Sequence, residues 1–259
     1  MVTPVRFPGG ISNAAPWQMF AGMGVENPFF YHQFYDDFDT LPSTSVGWNP
    51  VGSTGTVTQG SLDGGVTILT TTAVAAEFAE LQRVAVSFQP VAGKKAYFVA
   101  RITLSDVLNA AFVAGLMPIT ATPFTNPANG IWISKASGST VVNLNVANAS
   151  TVTTTPFPAT ALTLTNAVAF DVGFEVTGGS AGGTAPTVRG SLAPSLVSYV
   201  PQSGNGSANS TNRSPNIVST APLITTLQAT VLAPIIAVQA GTTTIKTLTA
   251  DFVGAFRER

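Results

Sequence analysis

The sequence predicts an all-β fold, an antiparallel two-sheet sandwich entered through an extended N-terminal arm. Apolar side chains recur at period two in segment after segment, Gly, Pro, Asn and Asp fall between those segments, and no stretch carries a strong helical stripe. The organising stretch is Lys95 to Ser134. In its first part Phe98, Ala100, Ile102 and Leu104 alternate with Tyr97, Val99, Arg101 and Thr103, as in a half-buried strand. After a break at Asn109 comes the apolar run Ala111 to Leu116, with Gly115 where a side chain is expected, and a loop rich in Pro, Thr and Asn leads into Ile131, Trp132 and Ile133. Strands of this kind cannot bury their apolar face alone, so the flanking chain must supply a second sheet.

Residues 1–33 mix Pro and Gly with large apolar groups and show neither helical nor strand periodicity. They are read as the arm, with Trp17, Phe20, Phe29 and Phe30 as anchors that bury against this chain's own sandwich or against a neighbouring subunit. The sandwich is expected to occupy residues 34–259. Aromatics and carboxylates interleave from Phe34 to Asp39; Leu41 to Thr58 is broken by Pro and Gly around Trp48; Asp63-Gly64-Gly65 turns into an alternating Val66 to Thr70. Ala73 to Arg83 is the best helical candidate, with Glu77 and Glu80 on an exposed turn, and Arg83 to Phe88 alternates as a strand.

Beyond the organising stretch, Val142, Leu144 and Val146 oppose Asn143 and Asn145. Ala147 to Thr165 is a connection. Next comes the cleanest strand, with Val168, Phe170, Val172, Phe174 and Val176 inward and Asp171 and Glu175 outward. Another strand follows around Val188 to Leu192, and Pro201 to Pro215 has almost nothing to bury and is expected to be a mobile loop. The end of the chain supplies Leu223 to Leu232, Pro234 to Gln239, and Lys246 to Phe256, where Leu248, Ala250, Phe252, Gly254 and Phe256 are expected to share a face. About ten to twelve strands result.

Composition narrows the function. Charged residues make up only 9% of the chain, against about 25% in an ordinary soluble domain. A surface of Thr, Ser, Asn, Gln and Gly repels its neighbours weakly, which suits packing in a larger assembly, and equally an uncharged extracellular surface. A net charge of −1 and no basic stripe argue against nucleic acid as a partner. The absence of cysteine removes disulfides and zinc–thiolate sites. No secretory leader or membrane span is read, because prolines interrupt each long uncharged stretch. Asn148, Asn205, Asn209 and Asn212 fit the N-glycosylation pattern, as a Ser-, Thr- and Asn-rich composition produces by chance.

The order of features resembles the concanavalin- or laminin-G-like jelly roll of tailed-bacteriophage virion proteins. The matching pieces are Phe34 to Phe38 with Gly47-Trp48, Gly64 to Thr70, the pair Tyr97 to Leu104 and Ala111 to Leu116, Asn129 to Ile133, and the C-terminal Pro234 to Gln239 and Leu248 to Phe256. The resemblance implies a jelly-roll sandwich and a capsid decoration or cement protein. Its partner would be the major capsid protein, and its oligomer a homotrimer by analogy. No cofactor is called for.

Catalysis finds little support. Asp171 and Glu175, the best same-face carboxylates on one strand, would stand about 13 Å apart at a strand's rise per residue, too far for a glycosidase pair. His32 is the single histidine and is expected to be a packed or solvent-facing polar group. The runner-up is a carbohydrate-binding module, with Trp48 and Trp132 as stacking platforms; each has a core reading as well. Asp36, Asp37 and Asp39 offer oxygen ligands but lack the spacing of a calcium loop, and read otherwise as turn residues, one of them meeting Arg83 or Arg101.

Overall fold

The computed structural model describes residues 31–40, 47–49, 55–60, 65–84, 88–120, 122–158, 163–178, 187–194, 216–220 and 227–259. Fifteen strands among them form two antiparallel sheets. The eight-stranded sheet runs β13 (Asn216–Thr220), β12 (Thr187–Pro194), β11 (Ala169–Thr177), β6 (Lys95–Leu104), β15 (Thr247–Glu258), β4 (Val66–Thr70), β3 (Thr56–Gly60), and β1 (Tyr31–Asp36) also pairs with β15. The seven-stranded sheet runs β10 (Thr151–Pro156), β9 (Val142–Asn148), β8 (Gly130–Lys135), β7 (Ala110–Met117), β14 (Ala233–Ala240), β5 (Phe78–Arg83), β2 (Trp48–Asn49). The architecture is the expected jelly-roll sandwich.

The core lies between the sheets and is filled by the alternation read from the sequence. Phe98, Ala100, Ile102 and Leu104 of β6 and Phe170, Val172, Phe174 and Val176 of β11 face Phe112, Ala114 and Leu116 of β7 and Ile236 and Val238 of β14. The rings of Phe98 and Phe174 stack at 5.4 Å within one sheet, and those of Phe112 and Phe170 meet at 5.7 Å between sheets. β7 is buried along its whole length, hence its unbroken apolar run. At Gly115 a Cβ would run into the backbone of Ile131 and Trp132 on β8, so the missing side chain is what lets these strands approach.

Several expectations are corrected. Ala73 to Arg83 is no helix: a turn spans Ala75 and Ala76, and β5 follows, with Glu80 fully buried. Strand pairing with β14 overrides helix propensity there. The strand expected over Arg83 to Phe88 therefore lies earlier; Val84 is exposed, and Phe88 makes one isolated bridge to Leu232. Within the expected connection Ala147 to Thr165 lies β10, an edge strand of Thr and Val with little apolar alternation because it is half exposed. Val168 sits ahead of β11 and is exposed. The arm's boundary also moves, since Tyr31, His32 and Gln33 already pair with Glu258, Arg257 and Phe256. In the expected strand Leu223 to Leu232, the described residues form a 3-10 turn at Leu227–Ala229, and only Leu232 pairs, through its bridge to Phe88. Residues 1–30 and the loop Pro201 to Pro215 lie outside the described residues.

The most consequential correction is in β15. Its pairing with β6 shifts register between Ala250 and Phe252, so Asp251 is an extra residue in a β-bulge. Leu248 and Ala250 face the core before the bulge, Val253 and Ala255 after it. Phe256 instead packs outside the sheet with Tyr97 and Val99. Simple alternation through Phe252, Gly254 and Phe256 fails because one inserted residue inverts the faces of everything after it.

Deleting Asp251 is therefore expected to straighten β15 without changing its faces, because Ala250, Phe252 and Val253 already oppose Ile102, Arg101 and Ala100. The cost should be limited to the Arg101–Asp251 bond and the local twist, about 1 kcal/mol, read as a small drop in the urea midpoint. A drop of about 3 kcal/mol or more would show that Val253 and Ala255 had left the core.

Candidate functional site

The anchors Trp17, Phe20, Phe29 and Phe30 lie outside the described residues. Trp48 and Trp132 do not serve as stacking platforms, because both are buried. Trp48 is inaccessible to solvent; its indole Nε1 donates to Asp36 Oδ2 at 2.6 Å, and its ring packs against Phe34 and Phe38. Trp132 is 4% exposed and lies with Val113, Met117, Ala147, Ile235 and Ala237 in an apolar cluster on the outer side of the seven-stranded sheet. Asp36 is thus a structural acceptor, also capping the Phe38 amide at 2.8 Å. His32 packs on Phe88 with ring centres 5.0 Å apart, and burial, with Arg257, Arg259 and Arg83 nearby, lowers its pKa.

Arg101 selects different carboxylates from those read in the sequence. Its Nε and Nη2 donate to the two oxygens of Asp171 at 2.8 and 3.3 Å, and its Nη1 donates to Asp251 Oδ2 at 3.2 Å. The bidentate bond to Asp171 holds the guanidinium charged. Glu175, on the same face of β11, pairs instead with Lys95 at 3.1 Å. The two carboxylates are thus drawn to separate cations, rather than aimed into one cleft. Among the described residues no group of three or more His, Asp or Glu side chains is placed to hold a metal ion.

The surface best suited to a partner is one end of the sandwich. The antiparallel order brings there the connections β4–β5, β6–β7, β8–β9, β10–β11 and β14–β15. Backbone bonds knit them: Thr71 N donates to Lys246 O, Gly241 N to Asn109 O, Gly138 N to Leu108 O, and Ala167 N to Leu104 O, all at 2.8–2.9 Å. Asp106 is the hub. It accepts the amides of Leu108 and Asn109, the Asn109 side-chain amide and, at 2.6 Å, the buried Lys246 ammonium. That lysine bond, with those from Asn109, holds its carboxyl far below the usual carboxylate range. Lys135 lies buried at the same end, donating to the carbonyls of Ala136 and Ser139; burial lowers its pKa to about 8.

On this braced end Val74, Leu108, Val141, Val168 and Ile245, one from each connection, are between 39% and 58% exposed. A cleft of about 180 Å³ opens beside them between the sheets, lined by Val141, Phe157, Leu164 and Leu192 with Thr140 and Thr163. Asp106, Lys246 and Lys135 are spent on internal bonds, and what faces outward is mostly uncharged, the aliphatic side chains standing among exposed Ser105, Thr140, Thr165, Asn166 and Thr243. No periodicity marks these five residues, which fall singly in loops; only the shared end of the sandwich gathers them.

One further group stands out on the outer side of the seven-stranded sheet. Glu80 on β5 is fully buried, and neither carboxyl oxygen has a hydrogen-bond partner among the described residues. Burial pushes its pKa up to about 8. Gln82, two residues on, is satisfied by the chain leaving β7: its Nε2 donates to Pro118 O at 2.9 Å and its Oε1 accepts the Thr120 amide at 3.0 Å.

No family model matches the chain, and no curated protein matches it in sequence. Solved structures share its fold over most of its length. The endo-1,3-beta-glucanase from Streptomyces sioyaensis superposes with a TM-score of 0.55 at 14% identity, over 89% of this chain and 98% of its own. The lectin UEA-II, solved in complex with galactose, gives 0.55 at 10% identity over 88% and 98%. The CBM2 module of the evolved Dit of Lactobacillus casei BL23 phage J-1 gives 0.53 at 9% identity over 88% and 96%. Identities this low establish the fold, a jelly roll shared by lectins, carbohydrate-binding modules and some enzymes.

Glu80 yields a pH prediction. An unfolded glutamate titrates near its ordinary value of 4.5 and the folded one near 8, so between those values the native state keeps a proton that the unfolded chain has released. Stability should therefore fall as pH rises through that window, by up to about 1.4 kcal/mol per unit. Glu80→Gln should be no more stable than the parent near pH 4.5 and more stable by at least about 2 kcal/mol at pH 8.5, measured by urea denaturation. A pH-independent difference would mean that water reaches the carboxylate.

Proposed function

We propose that the chain is a non-catalytic accessory subunit of a tailed-phage virion, a decoration or cement protein that attaches to the capsid through protein contacts. The observation that carries this reading is the braced end with its five exposed aliphatic side chains. Loops with unsatisfied charges would make a poor dry interface; here Asp106, Lys246 and Lys135 are engaged internally before any partner arrives. The sparse charge of the whole chain, 9%, removes long-range repulsion between closely packed copies. The fold shared with a phage Dit module supports a virion setting.

The mechanism is mechanical. Each subunit buries a small aliphatic end against the major capsid protein, and several such contacts held in one oligomer, a trimer by analogy, multiply into a grip that resists shell expansion. The arm, residues 1–30, would tie subunits to one another. The second reading, a carbohydrate-binding module on a virion, is supported by the fold shared with lectins, but it requires contacts other than the buried Trp48 and Trp132.

Two measurements test the proposal. Replacing Leu108 and Ile245 together by Asp should reduce co-sedimentation with heads of the same phage stripped of this subunit by about tenfold or more, a loss of about 1.4 kcal/mol. The thermal midpoint should hardly move, since both side chains are exposed. Retained co-sedimentation would exclude this end as the attachment surface. Light scattering of the full chain beside a version beginning at Tyr31 should show an oligomer that dissociates without the arm; a monomer in both forms would remove the arm from assembly.

A further inference from the structure

We propose that the outer face of the eight-stranded sheet carries a subsite for a neutral pyranose ring, with Tyr35 as its stacking platform and Asp37 and Asp251 as hydrogen-bond acceptors at its edge. This deepens the second, carbohydrate-binding reading by giving it a site in place of the buried Trp48 and Trp132, and it does not rest on attachment to a capsid, since binding a soluble glycan requires no particle.

Tyr35 is 57% exposed, yet its ring is held in place. It stacks on Phe252 with ring centres 5.9 Å apart and planes 27° from parallel, and the Arg101 guanidinium lies 5.2 Å from the centre of the Phe252 ring. Arg101 is itself gripped by Asp171 and Asp251. A ladder of Asp171, Arg101, Phe252 and Tyr35 thus crosses β11, β6, β15 and β1. Its inner rungs are satisfied, and its last rung is an aromatic ring open to solvent. The bulge makes this possible: the extra residue puts both Asp251 and Phe252 beside Arg101. Bulges often re-aim side chains in this way at functional sites.

The polar groups fall where a sugar would use them. Alternation along β1 sends Asp36 inward to Trp48 and leaves Tyr35 outward; Asp37 follows the end of the strand, close enough that its charge, like that of Asp251, acts on the Tyr35 hydroxyl. Asp251 meets Arg101 through Oδ2, and its side chain is 40% exposed. A pyranose offers a face of C–H groups to an aromatic ring and hydroxyls around its rim, and carboxylates accept such hydroxyls. A platform ordered before binding spares the entropy of fixing a side chain. A basic side chain of a protein partner is the competing occupant. Against it, the Asp171 side chain is only 20% exposed and both Asp171 and Asp251 already bond to Arg101, while the group that projects furthest into solvent is the Tyr35 ring.

The test is an array of neutral gluco-, galacto- and N-acetylglucosamine oligosaccharides probed with the full chain, followed by calorimetry on the strongest binder. The expected result is specific binding, weakened about tenfold or more by Tyr35→Ala and kept within about threefold by Tyr35→Phe, with an unchanged thermal midpoint for both variants. Three results would overturn the proposal: no neutral oligosaccharide bound at millimolar concentration, binding undiminished in Tyr35→Ala, or capture of Lys- and Arg-containing peptides through Tyr35 in place of any glycan.

Discussion

The sandwich hangs on its last strand. β15 pairs with β6 along most of its length, with β4 at its beginning and with β1 at its end. The eight-stranded sheet is therefore incomplete until residues from both ends of the described chain meet. A side-chain bond repeats the constraint, since the Lys95 amide donates to Glu258 Oε2 at 2.8 Å across 163 residues of sequence. Pairing so distant in sequence is entropically slow to find. Once found it is hard to undo locally, because fraying β15 exposes Leu248, Ala250, Val253 and Ala255 together. The bulge at Asp251 belongs to the same strand: one inserted residue keeps the core alternating on both sides of it and turns Phe252 outward.

A second constraint follows from burying both sides of a sheet. The outer sides carry their own apolar clusters, one around Trp132 and another around Tyr97 and Phe256. Aromatic residues that composition alone would assign to ligand contact are consumed by packing. Charge is treated the same way. Asp106 with Lys246, Asp171 with Arg101, and Glu175 with Lys95 pair across strands or loops and brace backbone. Among the described residues, the large apolar groups left exposed are the aliphatic side chains of the braced end, Tyr35, and Val84, Val91, Ile119 and Val231 at the opposite end. A chain so poor in charge spends much of it on its own geometry, and Glu80, buried with no hydrogen-bond partner among the described residues, is the exception and adds its own pH dependence to stability.

Legibility in the sequence follows burial. The strands β6, β7, β8, β9, β11 and β14 can be read because at least one face of each is fully buried, which imposes alternation or an unbroken apolar run. β10 and β13 are not readable, being edge strands whose residues are chosen by solvent as much as by packing. β5 reads as a helix because Phe78-Ala79-Glu80-Leu81-Gln82 carries good helix formers, and only its pairing with β14 makes it a strand. The candidate site is less legible still. Val74, Leu108, Val141, Val168 and Ile245 are dispersed single residues, and Tyr35 and Phe252 stand 217 positions apart along the chain.

By itself the sequence determined the all-β class, the two-sheet sandwich and the central core strands, because period-two burial is a local property that any pairing must respect. Tertiary structure decided the bulge that reverses the faces of β15, the strand identity of β5, the burial of Trp48 and Trp132, and the pairing of Arg101 with Asp171 and Asp251. Each of these depends on what lies across a strand or between sheets. Such neighbours are set by long-range register, which no local pattern of residues encodes.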